Sequence, residues 1–302
     1  MSFLFILFFE AKTEKDGIKH LLFRLFCIKI RHGVKGKNIK MEHISSRTNP
    51  LIVRMAKLSD KKYRDEEKLF CVEGIKLFEE MQNSGITPEY AFATEKNAHL
   101  LASLPQKVKC FTVSESVYEK ISCEKAPQGV FCAIKYLDNL HKSDTIYSGS
   151  LSSSVFCLSS LRDPGNLGTV LRTARAFGIG TLILSSDCTD LYSSKTVRAS
   201  MGALFAVNTL RTKNLAETIA DLQKKGYQTY AAALDSSAIT LSSLSTTQKT
   251  CFVVGNEGHG LSDEIIASCG NTVYIPMTGS CESLNASVAA SLLMWELFKS
   301  RN

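Results

Sequence analysis

At 302 residues, with 44% hydrophobic and 22% charged residues, the chain can hold two domains with real cores and has the balance of a soluble globular protein. Its net charge of +7 sits almost wholly in residues 1–40, which carry nine Lys/Arg against three Asp/Glu; the rest holds 27 basic and 26 acidic residues, so global charge does not mark the body as a nucleic-acid binder. Ten scattered cysteines with no C-x-x-C pair, and six histidines at 20, 32, 43, 99, 141 and 259, argue against a metal site or a disulfide framework and fit a reducing cytoplasm.

The first nine residues, MSFLFILFF, are apolar but too short to span a bilayer. They lack the basic start and small-residue cleavage site of a signal peptide. Met41 stands directly before the first domain-like pattern. The expectation is that translation starts there and that residues 1–40 are an upstream artefact or a disordered arm. A basic RNA-binding arm is the alternative.

Residues 41–136 alternate helix and strand. SRTNPLIVRMAKL reads as a capped helix. LFCVEG is a short strand running into the helix IKLFEEMQNSG, stopped by Gly85. PEYAFAT, KVKCFTV and GVFCAIKY read as strands, with NAHLLASL and SESVYEKIS as helices. This is a small α/β unit. Residues 137–154 lose periodicity and are rich in serine, a flexible linker by composition.

Residues 155–302 form a second α/β unit. Strand VFCLSSL leads to DPGN and the helix LGTVLRTARAFG, with Asn166 as its expected cap and Leu167, Val170, Leu171, Ala174 and Phe177 as its buried stripe. Thr169 and Arg172 share another face of that helix. Then come strand TLILS, a short helix near Lys195–Met201, strand LFAVNTL, helix NLAETIADLQKKG and strand YQTYAAAL. Strand CFVVG leads to loop NEGHG and the helix LSDEIIAS. Strand TVYIPM leads to ESLNASVAASLLMWEL, a helix whose expected apolar stripe is Leu284, Val288, Leu292 and Trp295. Such alternation predicts a parallel sheet covered on both faces, with ligands outside the carboxyl ends of its strands.

Three polar loops follow strands of this unit. DPGN alone can be a capped turn, and NEGHG alone a flexible one. The glycine spacing of the latter matches neither a dinucleotide fingerprint nor a P-loop. The third loop places Glu282, Ser283 and Asn285 at the mouth of an alanine-rich helix, where one polar cap would suffice. Together, DPGNLGTVLRTARAFG, GNEGHGL and IPMTGSCESLNASVAA resemble the three motifs of the SpoU (TrmH) family of RNA 2′-O-ribose methyltransferases, in order and at family-like spacing. The front half, HISSRTNPLIVRMAKL onward, resembles that family's small substrate-binding domain, related to an RNA-binding ribosomal protein. The likeness runs from about Met41 to Leu297.

The resemblance implies a C-terminal parallel-sheet domain tied in a deep trefoil knot, with the segment from about Cys251 threaded through an earlier loop. It implies S-adenosylmethionine as cofactor, bound at Gly255, Asn256, Gly258, Ile275, Met277 and Leu284. It implies Arg172 as the central catalytic residue, surrounded by Asn166, Glu257, Ser283 and Asn285, and no metal. Glu257 is expected to be structural. RNA would be held by the front domain through the run Arg54, Lys57, Lys61, Lys62 and Arg64, whose alternative is a solvated surface. A homodimer through the knotted domains is implied, with Ala286, Ala289, Ala290 and Ser291 allowing close helix packing. The expected substrate is large-subunit ribosomal RNA. Transfer RNA as substrate, or a non-catalytic RNA-binding or ribosome-assembly role, are the alternatives.

Overall fold

The computed structural model describes residues 41–137, 151–235, 238–244, 249–278 and 283–301. The expected arm at 1–40, most of the expected linker at 137–154, and Glu282 lie outside the described residues.

In the front part, a five-stranded sheet has the order β1-β4-β3-β5-β2. Its strands are β1 (Glu42–Ile44), β2 (Leu69–Glu73), β3 (Tyr90–Thr94), β4 (Lys109–Val113) and β5 (Val130–Lys135). β1, β4 and β3 run parallel, while β5 is antiparallel to both β3 and β2. Helix α1 (Pro50–Lys57) starts where the Asn49 side chain accepts from the Leu51 amide, with Pro50 in the first turn. Helix α2 (Lys61–Glu67) starts on Asp60 and ends at Lys68 in a left-handed conformation. The sequence pattern suggested neither β1 nor α2, because three residues and one polar helix of two turns carry too little periodicity. Helices α3 (Ile75–Asn83), α4 (Ala98–Leu101) and α5 (Glu115–Ile121) complete the unit. Ile52 and Met55 of α1 and Val117, Tyr118 and Ile121 of α5 close a core on Phe92 and Phe131.

The rear sheet has seven strands in the order β10-β12-β9-β11-β6-β7-β8, and every pairing is parallel. They are β6 (Ser154–Leu158), β7 (Thr181–Ser185), β8 (Asn208–Thr212), β9 (Gln228–Ala232), β10 (Ile239–Thr240), β11 (Thr250–Val254) and β12 (Asn271–Tyr274). The helices are α6 (Pro164–Ala176), α7 (Ser194–Ala199), α8 (Leu215–Lys224), α9 (Asp263–Ser268) and α10 (Ala286–Lys299). β6 and β11 are buried along their whole length, which accounts for unbroken apolar runs in place of alternation. Val155, Cys157, Cys251 and Val253 pack with Leu215, Ile219 and Leu222 of α8 and Ile265 of α9. The intervening Phe156 and Phe252 point to the opposite face, their rings 5.4 Å apart.

Three local expectations shift. The strand expected at LFAVNTL begins only at Asn208, because Ala203–Phe205 coil into a 3-10 turn after Gly202. β12 stops at Tyr274, two residues before Pro276, which has no amide to give a ladder. In α10 the apolar stripe is displaced: Ala286, Ala290, Leu293, Met294 and Leu297 are buried, whereas Val288, Leu292 and Trp295 are exposed. Ala286 and Ala290 therefore serve packing within the chain, where α10 lies against α6 and β11.

The two sheets meet through an aromatic stack. Tyr192 lies 4.5 Å from Phe70 and 4.0 Å from Tyr136, and its hydroxyl bonds the backbone of Leu137. Beside it Arg64, only 4% exposed, donates to Asp190 and to the carbonyls of Leu58 and Ser59. Arg175 with Glu80 and Arg198 with Glu124 add ion pairs across the same junction.

Candidate active site

The loops after β6, β11 and β12 all emerge at the carboxyl edge of the rear sheet, the edge where parallel sheets take ligands. In the first, the cap of α6 is Asp163, not Asn166: its carboxylate accepts from the Asn166 amide at 2.8 Å, and Pro164 opens the helix. The hydrogen bond from Lys195 (2.7 Å), and then that from Asn166, hold the Asp163 carboxyl below the usual carboxylate range. Because Asp163 caps, the Asn166 side chain is free to turn outward.

Asn166 uses that freedom to join the three loops. Its Nδ2 donates to Glu257 of the second loop. Its Oδ1 accepts from Asn285 Nδ2 at 3.2 Å, at the end of the third loop, and from Ser287 Oγ at 3.3 Å, in the first turn of α10. Asn285 meanwhile caps α10, its Oδ1 accepting from the Ser287 amide (2.9 Å) and hydroxyl (2.6 Å). One side chain thus ties together residues 91 and 119 positions apart.

Against this polar chain lies a cavity of about 470 Å³, within the range of small-molecule sites. Its apolar wall comes from Val254, Ile275, Met277, Leu284 and Ala286, and its polar wall from Asn256, Glu257 and Ser283. The second loop folds back on itself: the Asn256 amide donates to Gly260 O at 3.2 Å and the Gly260 amide to Asn256 O at 2.9 Å. A Cβ on Gly255 would fall 2.3 Å from the Gly260 carbonyl, so only glycine permits that turn. A similar close approach occurs at Gly168, where a Cβ would meet Ala199 at 2.3 Å and force α6 off α7.

All six expected cofactor residues, Gly255, Asn256, Gly258, Ile275, Met277 and Leu284, line this cavity, together with Glu257 and Ser283. Arg172 does not. It is exposed on α6, outside the cavity wall, with no hydrogen bond or ion pair to another described residue. Reading the sequence alone missed Asp163, Ser287 and Gly168; an aspartate directly before a proline was the available signal for the first.

The basic run fares differently. Arg64 is a correction: it is buried at the junction of the sheets and paired with Asp190, so it offers no surface to RNA. Arg54 is held by Glu67 in a two-pronged pair at 2.8 and 2.5 Å, and also donates to Tyr90. Lys61 pairs with Asp65. Lys57 and Lys62 remain exposed, their ammonium groups 5.0 and 5.8 Å from the Tyr63 ring.

A parallel-sheet enzyme with its ligand cavity at the strand ends, closed by three hydrogen-bonded loops, is the class this geometry defines. Residues 153–295 match the SpoU rRNA Methylase family, and residues 49–132 match the MRM3-like substrate binding domain. The chain is 29% identical over 258 residues to RlmP of Bacillus subtilis, a 23S rRNA guanosine 2′-O-methyltransferase, covering 85% of this chain and 99% of that protein. It is 30% identical to an uncharacterized tRNA/rRNA methyltransferase of Synechocystis, covering 84% of this chain and 92% of that one. The crystal structure of an AdoMet-bound rRNA methyltransferase from Sinorhizobium meliloti superposes with a TM-score of 0.74 at 26% identity, over 86% of this chain and 98% of that one. The chain belongs to the SpoU methyltransferase family, whose methyl donor is S-adenosylmethionine.

Proposed function

We propose that the protein transfers the methyl group of S-adenosylmethionine to a ribose 2′-hydroxyl of RNA, with large-subunit ribosomal RNA as the acceptor. The observation that carries this is the chain Glu257–Asn166–Asn285–Ser287, which gathers three distant loops against a cavity of cofactor size. Its apolar wall suits the flat adenine and the methionine chain, and its polar mouth the charged ends. Bound there, the cofactor supplies a reactive methyl group on a sulfonium.

This chain's residues supply the rest. Gly255, Asn256, Gly258, Ile275, Met277 and Leu284 hold the donor and exclude water. Glu257, Asn166 and Asn285 keep the loops in register, and Ser283 faces the cavity from the third loop. Alignment and desolvation then provide much of the acceleration. Arg172 brings a guanidinium to the ribose. A guanidinium does not give up its proton at neutral pH, so its role is to hold an RNA phosphate or the developing alkoxide through its fork of donors.

The same reading includes a homodimer. Val288, Leu292, Trp295 and Phe298 leave a contiguous apolar face on α10, extended by Phe177, whose ring lies 5.6 Å from Trp295. A second copy of this face is its occupant, and an exposed Arg172 on the neighbouring α6 then completes the partner's cavity. Trp295→Arg is expected to yield monomers by light scattering and to lose most activity; a fully active monomer excludes the shared site. The trefoil knot belongs to this reading as well. α10 packs on β11 and beside the turn Leu241–Ser243, as a chain end passed through an earlier loop would. A reducing cytoplasm is part of this reading, on the ten scattered cysteines of the sequence; among the described residues no helix is long and apolar enough to cross a membrane.

The test is methyl transfer to ribosomal and transfer RNA from cells lacking the gene, followed by nucleoside mass spectrometry. A 2′-O-methyl nucleoside in large-subunit RNA is expected. A methylated base, or transfer RNA as the acceptor, overturns the substrate assignment.

A further inference from the structure

A second cavity, also about 470 Å³, lies on the loop that walls the first. Ser159, Ser160, Arg162 and Ser262 line it, while Asn256, His259 and Gly260 line both cavities. Its chemistry is the opposite of the first. It has no aliphatic side chain and no phenyl, phenol or indole ring, only hydroxyls, a guanidinium, one imidazole and a carboxamide.

Arg162 is fixed in place there. Its Nη1 donates to the Asp187 carbonyl at 3.1 Å and its Nη2 to the Asp187 carboxylate at 3.0 Å. Asp187 also accepts from Ser160 Oγ at 2.6 Å and Ser185 Oγ at 2.5 Å. Burial pushes the Asp187 carboxyl up, but the hydroxyls of Ser160 and Ser185, with the charge of Arg162, hold it below the usual carboxylate range. It therefore stays an anion and keeps its grip. A guanidinium carries five N–H donors, and Asp187 engages only two of them. Ser160 itself sits at φ 56°, a left-handed conformation uncommon outside glycine. Ser185 Oγ, which accepts from its amide at 2.9 Å, and Asn256 Nδ2, which donates to its carbonyl at 3.0 Å, hold it there. Strain secured from several sides is typical of ligand sites.

A cation with spare donors among three serine hydroxyls, with the His259 imidazole as the only ring in the lining, suits sugar–phosphate more than nucleobase. The two cavities share Asn256 and His259, so a strand whose target ribose reaches the first passes its neighbouring phosphate by the second. We infer that the polar cavity seats the phosphodiester adjoining the methylated nucleotide, held by Arg162 and flanked by His259. This rests on the RNA methyl-transfer reading above.

The test uses the full chain, labelled S-adenosylmethionine and unmodified large-subunit ribosomal RNA transcribed in vitro, with Arg162→Met and Arg162→Lys. Arg162→Met is expected to raise KM for RNA about tenfold, the loss falling in KM and not in kcat. The logarithmic salt dependence of RNA binding should flatten by about 0.7, one single-strand phosphate contact. Arg162→Lys, which keeps the cation, should restore that slope and part of the KM. Calorimetric affinity for S-adenosylmethionine should match the wild type. A wild-type KM in Arg162→Met overturns the inference, as does a raised KM with an unchanged slope, which would mean a base or ribose contact. Lost cofactor affinity overturns it too, by assigning Arg162 to the first cavity. No transfer by the wild-type chain overturns the functional reading, and this inference with it.

Discussion

The loop edge of the rear sheet and the basic helices of the front unit were both marked by residue type, and they turned out differently. At the loop edge, polar residues from three remote segments meet, with Asn166 bonded to Glu257 and to Asn285. In the front helices, three of the five cations are paired with carboxylates of the protein itself: the buried Arg64 with Asp190, Arg54 with Glu67 and Lys61 with Asp65. Spaced small and polar residues in a loop constrain geometry, because glycine, proline and capping residues each fit few backbone shapes. A positive charge constrains much less, since an arginine is equally at home on a phosphate or on a nearby carboxylate.

The largest effect is expected from Arg64→Met, which leaves Asp190 without its partner at the junction of the sheets. It should cost about 3 kcal/mol of stability, read by denaturant unfolding. A variant as stable as the wild type would return Arg64 to the RNA surface. Arg172→Lys keeps the charge but loses the fork, and kcat should fall about a hundredfold with stability unchanged. Near-wild-type turnover would remove Arg172 from the central role.

Asn285→Ala removes a helix cap and a link between loops together. Roughly 1 kcal/mol of stability and about tenfold in turnover should go, more than His259→Ala loses in either assay. Asp163→Ala should cost about 1 kcal/mol through the α6 cap. Because the folded Asp163 acid is held below its ordinary value of about 3.9, its contribution is fully present above that pH. It is lost as pH falls through the lower folded value, so acid unfolding of Asp163→Ala and of the wild type should converge at low pH. The smallest effect is Lys62→Met, with stability unchanged within about 0.5 kcal/mol and a salt slope for RNA binding shallower by about 0.7.

Much of the fold was legible because the central rear strands β6 and β11 are buried on both faces and read as apolar runs between helices. The cavity wall was legible because its loops keep a family pattern whose glycines are sterically required, as at Gly255. What escaped was set by tertiary contact. Only the structure tells that Asp163, and not Asn166, caps α6, which is what frees Asn166 for the site. Helix α10 is apolar nearly all round, so periodicity could not say which face was core. The stripe of Val288, Leu292 and Trp295 is the outward one. Arg64 and Asp190 lie 126 residues apart, beyond the reach of any local pattern.

Whether the three loops present one methyl donor to one ribose hydroxyl is tested most directly by titrating the protein with S-adenosylmethionine by calorimetry, followed by single-turnover transfer to unmodified large-subunit ribosomal RNA and mass analysis of the nucleosides. Saturable binding, weakened by Leu284→Arg, is expected, with one new 2′-O-methyl nucleoside that forms about a hundredfold more slowly when Arg172→Lys is used. Failure to bind the donor, or methylation on a base, would contradict the proposed function.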